Sequence, residues 1–149
     1  MLATTTSSGM ETTLMLTEFR PITLPEVTEE DMSNLKKALD SDPLGQNAEN
    51  VRDSILRGET LFWRYKSDKG SAAILTQEVH GTEAGELFIW YVGGKGVATN
   101  GHYITEVLEE FAKLRGLIRV TSMSSPGMSR FLRKFGYKVA MHYMSKEIN

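Results

Sequence analysis

Glu86-Leu-Phe-Ile-Trp-Tyr-Val92, closed by Gly93-Gly94, is the stretch on which the reading of this chain turns. After its first residue it is wholly apolar and rich in aromatics. It is too short to cross a membrane and is bounded by Gly85 and the glycine pair, so it reads as a central strand. A helix begins near Asn100, where Ile104, Val107, Leu108, Phe111 and Ala112 fall at helical spacing until Gly116 stops it. Leu117–Ser122 is a second strand. Ser125-Pro126 then supplies an N-cap and a first-turn proline for a helix ending at Phe135-Gly136. Strand, helix and strand in this order make a right-handed parallel unit. Ligands of such units gather where the first strand ends and the helix begins, because unpaired N–H groups face outward there.

Outward from this unit, Leu14–Arg20 reads as a first strand ended by Pro21. Thr28-Glu-Glu-Asp31 opens a helix as a capping box, carrying Met32, Leu35 and Leu39 inward and stopping before Pro43. A second helix, Ala48 to Arg57, buries Val51, Ile55 and Leu56. Strands at Thr60–Tyr65 and Ser71–Val79 flank the turn Ser67-Asp-Lys-Gly70. Tyr137–Ile148 alternates at Val139, Met141 and Tyr143, which predicts a last strand. The order is β-α-α-β-β-β-α-β-α-β, an α/β (α+β) chain with a mixed sheet covered by helices on both faces. Alternation sends Phe88, Trp90 and Val92 to one face and Leu87, Ile89 and Tyr91 to the other. Residues 14–149 form one domain in this reading, and residues 1–13 a polar tail.

The composition of this 149-residue chain, with 40% hydrophobic and 24% charged residues, is that of a globular protein. With no cysteine it can hold neither a disulfide nor a thiolate metal site. His102 and His142 lack partners at ligand spacing, so no metal is expected. No apolar run suits a membrane span. The net charge of −2 is segregated: residues 1–92 carry 8 Lys/Arg against 15 Asp/Glu, and residues 93–149 carry 9 against 4. The basic half suits an anionic ligand or an acidic partner patch, but it is not basic enough for nucleic-acid binding to be expected.

Val107–Gly116 and Met128–Tyr137 resemble the GNAT superfamily of acetyl-CoA-dependent N-acyltransferases. Asn47–Trp63 and Ile89–Gly94 further resemble small GNAT-like proteins of tailed bacteriophages and prophages, the likeness running from about Leu14 onward. An enzyme of that family cradles the cofactor's pyrophosphate on backbone N–H groups at the helix start. A carboxylate or water takes a proton from the amine, and a hydroxyl protonates the departing thiolate. The family's Gln/Arg-x-x-Gly-x-Gly/Ala motif falls on Gly96-Val-Ala-Thr-Asn-Gly101, where only the last glycine is kept. The resemblance makes Val92, Gly94, Lys95, Gly96, Thr99, Asn100 and Gly101 the candidate cofactor residues, with Thr99 or Asn100 also suited to capping the helix. The position of the usual tyrosine acid is Leu132, which has no proton to give; Tyr137 and Tyr103 read as packing residues. Candidate bases are Glu86 on the central strand and Glu78 or His80 on the strand before it.

Two functions follow from this pattern. One is a non-catalytic binding or virion-assembly component, contacting a protein partner or a further copy of itself through Arg130, Arg133 and Lys134 on the outward side of the last helix. The other is an acetyl-CoA-dependent N-acyltransferase acting on a small-molecule or protein amine. Either belongs in the host cytoplasm or in a particle assembled there.

Overall fold

The computed structural model describes residues 16–42, 45–141 and 144–148, so the expected polar tail lies outside the described residues. Five strands lie side by side in chain order: β1 (Leu16–Ile22), β2 (Thr60–Ser67), β3 (Gly70–His80), β4 (Gly85–Gly94) and β5 (Arg119–Ser122). The first four pair antiparallel, and β4 pairs with β5 in parallel. Among the described residues the one parallel step is thus the one that α3 (Gly101–Leu114) bridges, as a crossover requires. The first strand does not stop before Pro21. It runs through it, because β1 is an edge whose ladder survives a missing N–H.

Helices α1 (Glu29–Asp40) and α2 (Ala48–Leu56) cover one face of the sheet, over Ile22, Phe62, Ala73, Leu75 and Tyr91. On the other face α3 seats Ile104, Leu108 and Ala112 against Trp63, Tyr65, Ile74, Leu87 and Ile89. The capping box at Thr28 forms: its hydroxyl accepts from the Asp31 N–H, and Asp31 accepts from the Thr28 N–H. Val51 and Leu35 turn inward as their spacing predicts, whereas Met32 and Leu56 are exposed.

Two further features depart from the sequence reading. The central strand carries a bulge: Leu75 faces Tyr91 while the next residue, Thr76, faces Ile89, leaving Trp90 extra. Alternation therefore slips at that point. Val92 joins Leu87 and Ile89 under α3, and Trp90 packs with Tyr91 on the α1/α2 face, their rings 4.9 Å apart. The expected last strand is not formed among the described residues 137–141 and 144–148, where Met141 and Met144 are exposed; Tyr143 lies outside the described residues. Alternation alone cannot make a strand without a ladder partner. The fold class stands, and the described element order ends at α4 (Pro126–Arg133).

Candidate functional site

The pairing of β4 with β5 runs only from Glu86–Arg119 to Ile89–Ser122. Beyond the bulge, Trp90–Gly94 continue beside β3 with no strand on their other side among the described residues. This open edge leads directly to the start of α3, where the sequence places its candidate cofactor residues.

Gly93 is fixed by packing. A Cβ there would stand 2.3 Å from the Asn34 carbonyl oxygen and 2.7 Å from the Ala38 nitrogen, so α1 lies directly on the strand. Gly94 (φ 127°) turns the chain against Ser71, and the Lys95 N–H donates to the Ser71 carbonyl at 2.8 Å. Gly96 (φ 87°) begins a 3-10 turn, Val97–Asn100, that runs straight into α3. In that turn the Thr99 N–H donates to the Gly96 carbonyl and the Gly101 N–H to Ala98, so both amides already have partners.

Asn100 does not cap α3 with its side chain. It is buried, and its Nδ2 donates to the Tyr65 hydroxyl at 2.7 Å, which itself donates to the Gly96 carbonyl at 2.8 Å. A fully buried tyrosine on β2 thereby ties both ends of the turn to the sheet, a link that no sequence spacing announces. Thr99 and Lys95 are exposed, and Val92 is half-buried under α3.

Gly101, the one glycine kept from the family motif, is occupied by α4. A Cβ on it would meet the Phe131 ring at 2.5 Å and the Phe135 ring at 3.0 Å. The two rings pack edge to face with centroids 5.2 Å apart, and His102 lies beside Phe135. The Ser125 hydroxyl accepts from the Met128 N–H and fixes the start of α4, so these rings are held against the head of α3. A pyrophosphate cradle needs open N–H groups and a bare backbone approach at this point. The Thr99 and Gly101 amides are already bonded and the two phenylalanines cover Gly101, so at this glycine the residues present do not fit the group.

The candidate bases do not converge. Val79 pairs with Glu86, and Glu78 with Leu87, so Glu86 and Glu78 project from opposite faces. Glu86 accepts from Thr121 Oγ1 at 2.9 Å and from Arg119 Nη1 at 3.4 Å, a cross-strand arrangement with β5. Glu78 is bound by Arg115 at 2.6 Å and lies 3.3 Å from His80 Nε2. The hydrogen bond from Arg115 holds its carboxyl below the usual range, opposite to what a general base near neutrality needs. All three stand at the far end of β4 from Gly94, eight residues or roughly 25 Å along the strand.

Leu132 is buried and inert. The Tyr137 hydroxyl donates to Glu109 at 3.0 Å; burial first, and that carboxylate second, hold it protonated well above its usual value. Tyr103 packs against the α3-side core. Arg130, Arg133 and Lys134 are exposed along α4, and none makes an ion pair among the described residues. No group of His, Asp and Glu suited to a metal occurs among those residues, and no helix among them is long and apolar enough to cross a membrane.

No protein-family model matches the chain, and no curated protein matches it. Solved structures do. A GNAT family acetyltransferase of Staphylococcus aureus is similar at a TM-score of 0.53 and 13% identity, over 90% of this chain and 99% of that one. A predicted acetyltransferase of Clostridium acetobutylicum, solved with acetyl-CoA, is similar at 0.60 and 11%, over 87% and 94%. A transcriptional regulator of Bacillus halodurans is similar at 0.60 and 16%, over 89% and 99%. At these identities the likeness is one of fold: the chain has the mixed sheet and flanking helices of the GNAT acetyltransferases.

Proposed function

We propose that this chain is a GNAT-fold binding protein that acts through protein contact, and that acetyl transfer is not its role. The observation that carries the reading is the seating of Phe131 and Phe135 against Gly101, the one glycine kept from the motif at the head of α3. Leu132 in the position of the usual acid, and the scattering of Glu78, His80 and Glu86, support it. Arg130 and Arg133 of α4 and Lys134 at its end, which make no ion pair among the described residues, are the proposed contact. An assembly such as a bacteriophage particle is the proposed setting, tested by mass spectrometry of purified particles. Isothermal calorimetry with acetyl-CoA tests the central point, and no saturable heat is expected at micromolar concentrations. A micromolar Kd would mean about 8 kcal/mol of binding free energy from this loop and would overturn the proposal.

One observation favours a second reading, N-acyltransferase activity on an amine. The open edge of β4 from Trp90 to Gly94 offers backbone groups to which an extended cofactor arm could add. Release of free thiol from acetyl-CoA in the presence of candidate amines would establish it.

A further inference from the structure

A pocket of about 250 Å³ opens on the face opposite α3, between α2 and the strands at the β4 bulge. That is roughly eight water volumes at about 30 Å³ each, enough for the tip of one side chain. The half-buried Trp90 lines it, on the face that alternation from Ile89 gives it, and the bulge brings Tyr91 onto the same face beside it. Around it stand Asp53 of α2, Arg57 just after that helix, Glu59 just before β2, and Gln77 of β3.

The polar groups of this pocket are unequally committed. Arg57 Nη2 holds Glu59 Oε1 at 3.1 Å, so these two charges largely cancel. Asp53 makes no ion pair within 4 Å among the described residues, although its charge acts on Arg57; with Asp53 and Glu59 against Arg57 alone, the pocket keeps a net negative charge. Gln77 donates its Nε2 to Thr60 Oγ1 at 3.0 Å, while Thr60 is also bonded to the buried Ser54. Its amide is therefore oriented, and the carbonyl oxygen is the end left to accept. An indole wall, a net negative charge and an oriented amide oxygen together ask for a flat cation with several donors.

We infer that this pocket binds a guanidinium group, presented by an arginine side chain of a protein partner and stacked on Trp90 with its N–H groups toward Asp53 and Gln77. A guanidinium meets both demands, since its plane lies on the ring while its edge donates in a fixed fork. The site is on the opposite face of the sheet from α3, so its test and the acetyl-CoA test succeed or fail separately. It goes beyond the α4 contact by naming a second surface and the chemistry that surface selects.

The chain has only two tryptophans. Trp63 is 2% exposed with its Nε1–H bonded to Thr76, so a ligand-induced change in indole emission reports on Trp90. Titration of the full chain with Nα-acetyl-argininamide should give a saturable millimolar change that weakens as salt is raised. The citrulline counterpart, neutral and of nearly the same shape, should give none. Asp53→Asn should weaken binding about fivefold, the scale of one partly exposed ion pair, with an unchanged thermal midpoint. Trp90→Phe should abolish the emission change and leave Trp63 emission in place. Absence of saturation, an equal response to the citrulline analogue, or unchanged affinity in Asp53→Asn would each overturn the inference.

Discussion

Asp31 and Arg64 form a buried ion pair, 2.6 Å apart and both nearly inaccessible. Arg64 also donates to the Glu26 carbonyl at 2.7 Å, joining β2 to the chain segment before α1. Burial alone would raise the Asp31 carboxyl, but hydrogen bonds from Arg64 and Thr28 outweigh it and hold it below the usual range. Because the folded value is the lower one, this contribution is fully present above the unfolded value of about 4. It is lost as pH falls through the folded value. Asp31→Asn strands a buried guanidinium and should cost about 3 kcal/mol at neutral pH, the low end for such breaks because Glu26 and Glu18 remain. Urea unfolding across the acid range should show the gap between wild type and variant closing below about pH 4. A gap that stays constant with pH would refute this account. The sequence showed Asp31 as a capping residue, which it is. Its second partner, 33 residues away, no local spacing could indicate.

At the scale of elements, the path from β4 to α3 was readable because glycines and apolar periodicity mark both ends. The bulge was not, since one extra residue leaves composition unchanged and only the β3 register reveals it. The same limit applies to Asn100: a cap residue by type and position, it is drawn away by Tyr65 from the opposite strand. Residues 137–148 erred in the other direction, because a ladder partner is a property of the sheet and is absent from the pattern. The most demanding junction between elements is α1 on β4 at Gly93. Gly93→Ala would press a methyl into the α1 backbone at Asn34 and Ala38, where neither atom belongs to a flexible side chain. A loss of about 2–3 kcal/mol is expected, of the order of core overpacking. Gly127→Ala would meet only Arg130 Nη2, at 3.8 Å, with φ outside the left-handed region, and serves as a comparison that tests glycine removal without the collision. Equal chemical-denaturation midpoints for Gly93→Ala and wild type would show that α1 does not rest on the strand as described.

At the scale of the whole molecule, charge and fold are arranged together. The half ending at Val92 carries a formal −7, and the half from Gly93 onward +5. In the fold the negative half supplies α1, α2 and the antiparallel strands, while the positive half supplies α3, β5 and α4. One end of that positive half, at Arg130, Arg133 and Lys134, is exposed without ion-pair partners among the described residues. These cations sit toward the C-terminus of α4, where the helix dipole favours them, so local stability by itself predicts a small effect of charge reversal and nothing more. The contact reading predicts a different outcome. Arg130→Glu with Arg133→Glu leaves Phe131, Leu132 and Phe135 inward and should give a folded chain with a thermal midpoint only slightly lowered. The same variant should lose its partner, because a like-charge contact replaces an attractive one. Affinity capture with the wild-type chain at low and raised salt identifies the proteins retained in a salt-sensitive way, and those are then quantified with the double variant. Their recovery should fall sharply for the variant, while circular dichroism shows its helix content preserved. Undiminished recovery would exclude this face as the contact and return the three cations to a purely local role on α4.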